Sequence, residues 1–166
     1  MDKVMIFIDG ANLFFGMINR IGNIRLDYQK FTQKLCGTDR KLIRTYYYDA
    51  PKKQADAREK YQSQQRFFDV LRKLQYFDIR FGRLEREHQK GVDVLLAVDM
   101  IKFAANNAYD TAILVSGDSD LASAVDLVKT MGKHVEIVYF DQCYHLKGLA
   151  DKMIILDASF LSDCWV

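Results

Sequence analysis

The chain has 166 residues, of which 49% are hydrophobic and 28% are charged, and its formal net charge is +2 at pH 7. This composition is typical of a globular domain with a full core and argues against a disordered or fibrous protein. One proline and nine glycines leave no room for a long linker, so we assign residues 1–166 to a single domain. No apolar run approaches the ~20 residues of a membrane helix, and the N-terminal run stops at Asp9, so we expect a soluble protein without a signal peptide.

The cysteines and the distribution of charge indicate the cellular compartment and the type of ligand. Cys36, Cys143 and Cys164 show no C-x-x-C spacing, and an odd number of cysteines suits a reducing compartment, so we expect a cytoplasmic protein. Residues 34–73 hold eleven Lys and Arg against five Asp and Glu, whereas residues 93–157 hold five against ten. An acidic half beside a basic half fits a metal pocket next to a surface for a polyanion, although amphipathic helices produce such asymmetry as well.

The first half of the chain predicts strands that alternate with helices. Val4 to Ile8 is an uninterrupted apolar run, which is typical of a buried parallel strand. A helix of mixed pattern follows over Ala11 to Ile21, and Asp27 is a candidate cap for a second helix over Tyr28 to Leu35. The further elements of this half are a strand over Leu42 to Asp49, a long helix with one basic face over Lys53 to Gln75, and a strand over Ile79 to Leu84.

The second half continues the alternation after a predicted polar loop over Glu85 to Lys90. The helix over Gly91 to Ala105 has apolar residues on every side, which predicts that it is buried. It also carries Asp93 and Asp99, and buried carboxylates without partners are costly, so they need a reason. The remaining elements are strands over Thr111 to Ser116 and His134 to Phe140, a helix over Leu121 to Met131, and a short edge element at Ile154 and Ile155. This order predicts a three-layer α/β/α fold with a parallel sheet.

Carboxylates follow two of the predicted buried strands. Asp9 ends the first strand, and Asp118 and Asp120 follow the fourth. Because ligands of open α/β sheets bind beyond the carboxyl ends of the strands, these residues with Asn12 and Asp93 predict an acidic pocket. Asp9, and Asp118 or Asp120, could instead cap helices, which is a common use of aspartate, and Asp93 suits the dipole in the first turn of its helix. Together they favour Mg²⁺ or Mn²⁺, which prefer oxygen ligands and relieve the repulsion, whereas the lack of His and Cys in these motifs argues against Zn²⁺.

Three segments carry these acids in a recognisable order. They are Phe7–Leu13 (FIDGANL), Lys90–Asp99 (KGVDVLLAVD) and Val115–Leu121 (VSGDSDL). They resemble the three signature blocks of the NYN domain family, which belongs to the PIN-like superfamily of metal-dependent ribonucleases. The similarity covers roughly residues 4–140. It implies a central parallel sheet of order 3-2-1-4-5, in which the strand of Asp9 lies beside the strand of Asp118.

The resemblance also implies roles for single residues. The residues that it identifies as catalytic are Asp9, Asn12, Asp93, Asp118 and Asp120, and the four aspartates among them are the expected metal ligands. Asn12 is expected to orient a ligand or a water molecule. Asp99 matches a family position too, but it lies six residues beyond Asp93 on the same helix, so we expect it to support the site or the fold.

The leading hypothesis is an Mg²⁺- or Mn²⁺-dependent ribonuclease that hydrolyses the phosphodiester bonds of single-stranded RNA with a metal-activated water. Lys52, Lys53 and Arg58 of the basic helix would hold the phosphate backbone, and Arg83 and Lys90 would lie nearer the scissile phosphate. The alternative is a nucleic-acid-binding or scaffold protein of the same fold with little turnover. The sequence leaves open whether the substrate is RNA or DNA and whether the site binds one metal ion or two. It also leaves open the oligomeric state, for which a homodimer is one possibility.

Overall fold

A computed structural model describes residues 1–51, 58–85, 88–141 and 144–166, and at 83–85, 88–90 and 144 it describes the backbone alone. The described strands are β1 (Asp2–Asp9), β2 (Arg40–Asp49), β3 (Phe77–Phe81), β4 (Arg83–Glu85), β5 (His88–Lys90), β6 (Thr111–Val115), β7 (His134–Tyr139) and β8 (Lys152–Ile155). The described helices are α1 (Gly10–Gly16), α2 (Tyr28–Cys36), α3 (Arg58–Leu71), α4 (Val92–Ala105), α5 (Ala122–Thr130) and α6 (Tyr144–Lys147). A π-helical turn (Met17–Ile21) continues α1, and a 3-10 turn (Ser119–Leu121) precedes α5.

Six strands form one parallel sheet in the order β3-β2-β1-β6-β7-β8, with helices packed around it. The predicted three-layer α/β/α architecture and the predicted order of five strands are therefore confirmed. The predicted edge element at Ile154 and Ile155 is β8, which pairs with β7 as a sixth strand. Ile8 pairs with Val115 across β1 and β6, so the next residues of the two segments, Asp9 and Ser116, lie side by side at the carboxyl edge of the sheet.

The two faces of β1 build two separate cores, which explains its uninterrupted apolar run. Val4, Ile6 and Ile8 belong to the core under α2 and α3. Met5 and Phe7 belong to the core under α4 and α5. Since side chains alternate between the faces of a strand, a strand covered on both sides is apolar at every position.

The helix predicted over Ala11 to Ile21 changes its winding halfway. Gly16 is the last residue of α1, and a Cβ added to it would lie 2.1 Å from the ring of Phe140. The glycine therefore allows α1 to lie directly against the end of β7. The chain then continues as the π-helical turn, which ends where Gly22 adopts a φ of 77°.

Three predictions for the middle of the chain are wrong. The described part of α3 ends at Leu71, four residues before Gln75, because the chain must turn through Tyr76, with a φ of 56°, to enter β3. The polar loop predicted over Glu85 to Lys90 contains the last residue of β4 and all of β5, and these two strands form an antiparallel hairpin. The strand predicted to reach Leu84 ends at Phe81, and the next residue, Gly82, donates to the carbonyl of Asp49 at 2.9 Å.

The prediction that α4 is buried on every side is wrong for one face. Leu96 and Met100 are fully buried, but Val94 is 60% exposed and Val98 53%. A helix that covers one face of a sheet has only one side against the core, whatever residues the other side carries.

The C-terminal segment that follows β8 returns to the first core. Leu156, Leu161 and Cys164 are buried there. The amide of Asp27 donates to the carbonyl of Cys164 at 2.8 Å, so this segment lies beside the start of α2. None of the helices in the described ranges combines the length and the hydrophobicity that a bilayer crossing requires.

Candidate active site

Asp9 is both the last residue of β1 and the N-cap of α1. Its Oδ1 accepts the backbone N–H of Asn12 at 3.0 Å, which satisfies one of the free donors at the start of the helix. Asp118 has the same role at the 3-10 turn, where its Oδ1 accepts the backbone N–H of Asp120 at 2.9 Å. The capping interpretation is therefore correct for both residues. It leaves oxygen lone pairs on both carboxylates for a further ligand.

Ser116, which sequence reasoning missed, ties the two aspartates together. Its hydroxyl donates to Oδ2 of Asp9 at 3.2 Å and accepts the backbone N–H of Asp118 at 3.1 Å. A second link joins the same two segments, because the backbone N–H of Gly117 donates to Oδ1 of Asn12 at 3.3 Å. The signal for Ser116 was present in the sequence, since a serine directly before Gly117 and Asp118 stands at the end of a buried strand.

The surroundings of Asp9 and Asp118 disfavour two negative charges at the same time. Burial raises the pKa of Asp9 above its ordinary value, and the nearby Asp118 carboxylate raises it further. Hydrogen bonds from Asn12, Ser116 and Ala11 act in the opposite direction. A carboxylate whose charge is disfavoured by burial and by a like charge is a common feature of functional sites.

Both aspartates line a cleft of about 460 Å³, which we call the acidic cleft. Its lining residues are Asp9, Ala11, Asn12, Phe15, Gly16, Asn19, Arg20, Asp118, Phe140 and Asp141. Arg20 of the π-helical turn forms an ion pair with Asp141, so a cation and a third carboxylate share the cleft with Asp9 and Asp118. Sequence reasoning missed these two residues because only the fold brings the π-helical turn to the end of β7.

The other two predicted ligands do not line the acidic cleft. Asp93 lies partly buried in the first turn of α4, and Asp120 is exposed in the 3-10 turn. The two elements do contact each other. Within the described ranges, no three His, Cys, Asp or Glu side chains come close enough together to hold a metal ion by themselves. The oxygen donors that line the cleft suit Mg²⁺ or Mn²⁺ in kind, and Asp93 and Asp120 remain predicted ligands.

The predicted RNA-binding residues are only partly described. Arg58 is exposed at the start of α3, whereas Lys52 and Lys53 lie outside the described residues. The backbones of Arg83 and Lys90 face each other across the β4–β5 hairpin, which leads through Gly91 into α4. A hairpin that ends at α4 brings two basic positions to the start of the helix that carries Asp93.

Asp99 has the structural explanation that its burial required. Its side chain accepts hydrogen bonds from Lys102 at 2.9 Å and from the hydroxyl of Tyr48 at 3.1 Å, and Arg80 lies 3.7 Å away. Burial, and next the Asp99 carboxylate, raises the pKa of Tyr48, so Tyr48 stays protonated and can donate. Asp99 therefore joins α4 to β2 and β3 through charges that the fold itself supplies, in agreement with the expected supporting role.

A parallel sheet of this order, with carboxylates at the ends of β1 and β6, defines the PIN-like class of the three-layer α/β fold. Within that class the chain belongs to the NYN domain family, whose model matches residues 3–157. This family lies in the PIN-like nuclease superfamily, so the resemblance seen in the three sequence blocks is confirmed.

Two individual proteins illustrate the relationship. The low amplitude and bright protein LabA of Synechococcus elongatus is 25% identical over 169 aligned residues, which cover 93% of this chain and 84% of LabA. The crystal structure of a protein of unknown function from Vibrio parahaemolyticus superposes with a TM-score of 0.77 at 20% identity. That alignment covers 99% of this chain and 96% of the other and supports the same fold.

Proposed function

We propose that this chain is an Mg²⁺- or Mn²⁺-dependent ribonuclease whose active site is the acidic cleft. The observation that carries the proposal is the pairing of Asp9 and Asp118 at the carboxyl ends of two neighbouring strands, held by Ser116 at 3.2 and 3.1 Å. Burial and the second carboxylate raise the pKa of Asp9, and a divalent cation would relieve both effects. Membership of the NYN domain family supports this reading.

Each residue has a distinct proposed role. Asp9 and Asp118, which follow two neighbouring strands, would hold the cation, and we propose Asp93 of α4 and Asp120 of the 3-10 turn as further ligands. When bound, the cation would polarise the phosphoryl group and lower the pKa of a water molecule. Asn12 keeps the start of α1 in register with the turn after β6, because its amide oxygen accepts the N–H of Gly117.

Substrate binding would rest on the basic side chains. Arg20 lines the acidic cleft, and its guanidinium, oriented by Asp141, has further N–H donors for a phosphate oxygen. The proposed contacts to the RNA backbone are Lys52, Lys53, Arg58, Arg83 and Lys90, which would bind phosphates without regard to sequence. We propose single-stranded RNA as the substrate.

The decisive experiment replaces Asp118 by asparagine. Asn keeps the size and can still cap the 3-10 turn, but it lacks the charge that holds the cation. We expect Asp118→Asn to lower the cleavage rate of single-stranded RNA at least about 100-fold, which is roughly 2.7 kcal/mol of barrier. Chelator should abolish wild-type cleavage, and the products should carry 5′-phosphates. Asp126→Asn, an exposed substitution of the same type on α5, should cleave like wild type.

Two results would overturn the proposal in different ways. If Asp118→Asn cleaves as fast as wild type in the same Mn²⁺ buffer, the nuclease site is not at the acidic cleft. If the pure wild-type protein binds RNA but does not cleave it with either cation, the alternative of a nucleic-acid-binding protein with little turnover replaces the enzyme.

A further inference from the structure

A second cleft opens on the other side of α1, toward β2 and α3. We call it the aromatic cleft, and its volume is about 380 Å³, within the usual range for a small-ligand site. Its lining residues are Gly10, Ala11, Phe14, Phe15, Met17, Ile24, Tyr28, Tyr47, Asp49, Lys60, Ser63, Gln64 and Phe67. The nuclease proposal uses none of its aromatic residues.

Helix α1 separates the two clefts. Residues three or four apart lie on the same side of a helix, so Asn12 and Gly16 face the acidic cleft, whereas Gly10 and Phe14 face the aromatic cleft. Ala11 and Phe15 line both. Phe15 is 59% exposed, so its ring forms the ridge between a carboxylate site and an aromatic site. An extended ligand could cross this ridge without leaving the protein surface.

The walls of the aromatic cleft are rings. Phe14 and Phe15 meet edge to face with centroids 5.6 Å apart, and Tyr28, Tyr47 and Phe67 form a second cluster with centroids 5.5 to 5.7 Å apart. Burial raises the pKa of both tyrosines, so both remain neutral. The cleft therefore offers apolar ring surfaces and no phenolate charge in its depth.

Close packing at Gly10 keeps this arrangement in place. A Cβ added to Gly10 would lie 2.5 Å from the ring of Tyr47, so only glycine lets α1 start this near to β2. The same glycine directly follows Asp9. The residue that sets the wall of the aromatic cleft and the residue that sets the acidic cleft are therefore neighbours in the chain.

Polar groups lie along the α3 side, and Asp49, the last residue of β2, lines the cleft as well. Lys60 and Ser63 are exposed residues of α3, and the side-chain amide of Gln64 donates to the carbonyl of Ala50 at 3.2 Å, which orients it. Aromatic rings with an oriented amide, a hydroxyl and an ammonium at one edge match a heterocyclic base attached to a phosphate backbone. A helix of a protein partner would need a longer and uniformly apolar groove.

We propose that the aromatic cleft binds one nucleobase of the nucleic acid whose phosphate occupies the acidic cleft. The base stacks on the exposed rings of Phe15 and Phe14, and its edge faces Ser63 and Gln64. Lys60 contacts the adjoining phosphate. This inference rests on the proposed nuclease function for the position of the phosphate, and it assigns the chemical class of ligand, a single unpaired base, to a site outside the metal ligands.

The test compares two oligonucleotides in the Asp118→Asn background, in which cleavage is suppressed. One is a single-stranded RNA, and the other has the same backbone with the bases removed. Stacking on an aromatic ring contributes about 1–3 kcal/mol per base, so Phe15→Ala should weaken binding of the base-bearing strand at least about fivefold and leave the abasic strand unchanged. Phe15→Tyr should restore the difference, because tyrosine keeps the ring.

Val70→Ala is the matched control, because Val70 is 58% exposed on α3 and does not line the cleft. It should leave both affinities unchanged. The inference is overturned if Phe15→Ala binds the base-bearing strand as tightly as its parent does. It is also overturned if Phe15→Ala loses the same affinity for the base-bearing and the abasic strand. If Phe15→Ala changes the oligomeric state on gel filtration and leaves RNA binding unaffected, the inference is wrong, and this face instead makes contacts between copies of the chain.

The outcome is separable from that of the nuclease proposal. If the wild type cleaves RNA in a metal-dependent manner and Phe15→Ala shows no base-selective loss, only the nucleobase site is wrong. If the wild type does not cleave but the loss at Phe15 is base-selective, the nucleobase site stands and the enzyme does not.

Discussion

Asp9 and Asp99 are two carboxylates at least partly buried in the same fold, and their surroundings differ in charge. Asp99 accepts hydrogen bonds from Lys102 and Tyr48 and lies 3.7 Å from Arg80. Asp9 accepts hydrogen bonds from the N–H of Asn12 and the hydroxyl of Ser116, both neutral donors, and the carboxylate near it is that of Asp118. Among the described side chains, Asp99 has ion-pair partners and Asp9 has none.

The difference separates a carboxylate that stabilises the fold from one that the fold keeps for a ligand. A buried charge needs a partner, and at Asp99 the chain supplies two. At Asp9 the chain adds a like charge, which raises the free energy of the folded protein unless a cation from outside is bound. Both residues lie in the sequence blocks that define the family, so the blocks alone do not distinguish the two uses.

The largest expected effect is the loss of metal stabilisation in Asp9→Asn. A cation at 100 times its Kd stabilises the wild type by about 2.7 kcal/mol through mass action. Asp9→Asn should lose most of this gain, because one of the paired carboxylates is neutral. Thermal denaturation with and without millimolar Mn²⁺ measures the effect, and Asp126→Asn should retain the full rise in Tm. If the Tm of the wild type responds to neither Mn²⁺ nor Mg²⁺, Asp9 is not a cation ligand, and the proposed difference in function between Asp9 and Asp99 is wrong.

The next effect concerns the metal-free protein, in which substitutions of Asp99 and Asp9 should change the stability in opposite directions. Asp99→Asn should lower the free energy of unfolding by about 1–2 kcal/mol, because it removes the charged hydrogen bond from Lys102 and the ion pair with Arg80, two cations that are about half exposed. Asp9→Asn should be as stable as the metal-free wild type or more stable, because it removes a repulsion. Urea denaturation of both variants in chelator tests the pair. Equal destabilisation by the two substitutions would contradict the comparison.

A smaller effect is expected from Ser116→Ala. The hydroxyl of Ser116 is buried and joins Asp9 to the N–H of Asp118, so its removal should cost about 1 kcal/mol of stability without metal. It also removes a hydrogen bond that favours the charged form of Asp9, so the pKa of Asp9 should rise further. Carboxyl chemical shifts of Asp9 followed by NMR titration measure this change. An unchanged titration would show that Ser116 does not act on Asp9.

The smallest effect is a pH dependence. The pKa of Asp9 is raised on folding, so the ionised carboxylate destabilises the folded protein at neutral pH, and this cost disappears as the pH falls through the raised pKa. The metal-free wild type should therefore gain stability relative to Asp9→Asn as the pH falls from 7 toward 4. Urea denaturation of both proteins at several pH values gives the difference. If the wild type instead loses stability relative to Asp9→Asn as the pH falls, the pKa of Asp9 is lowered on folding.

Much of the fold was predictable from local patterns. Val4 to Ile8 was predicted as a buried strand because every side chain is apolar, and the cap at Asp27 was predicted from its place before an amphipathic helix; both are confirmed. The hairpin of β4 and β5 was missed because its residues other than Leu84 are polar and show no sustained alternation toward a core. The exposed side of α4 was missed because Val94 and Val98 are as apolar as the buried side.

The sequence by itself determined the alternation of strands and helices, the family and the aspartates that follow two buried strands, because these depend on residue type and spacing along the chain. Only the tertiary structure decided which groups meet. It brought Arg20 and Asp141 into the cleft of Asp9, gave Asp99 its cations, and set Phe15 between two clefts. These contacts join segments up to 121 residues apart, and their formation depends on strand order and on the close approaches that Gly10 and Gly16 permit, which no local pattern encodes.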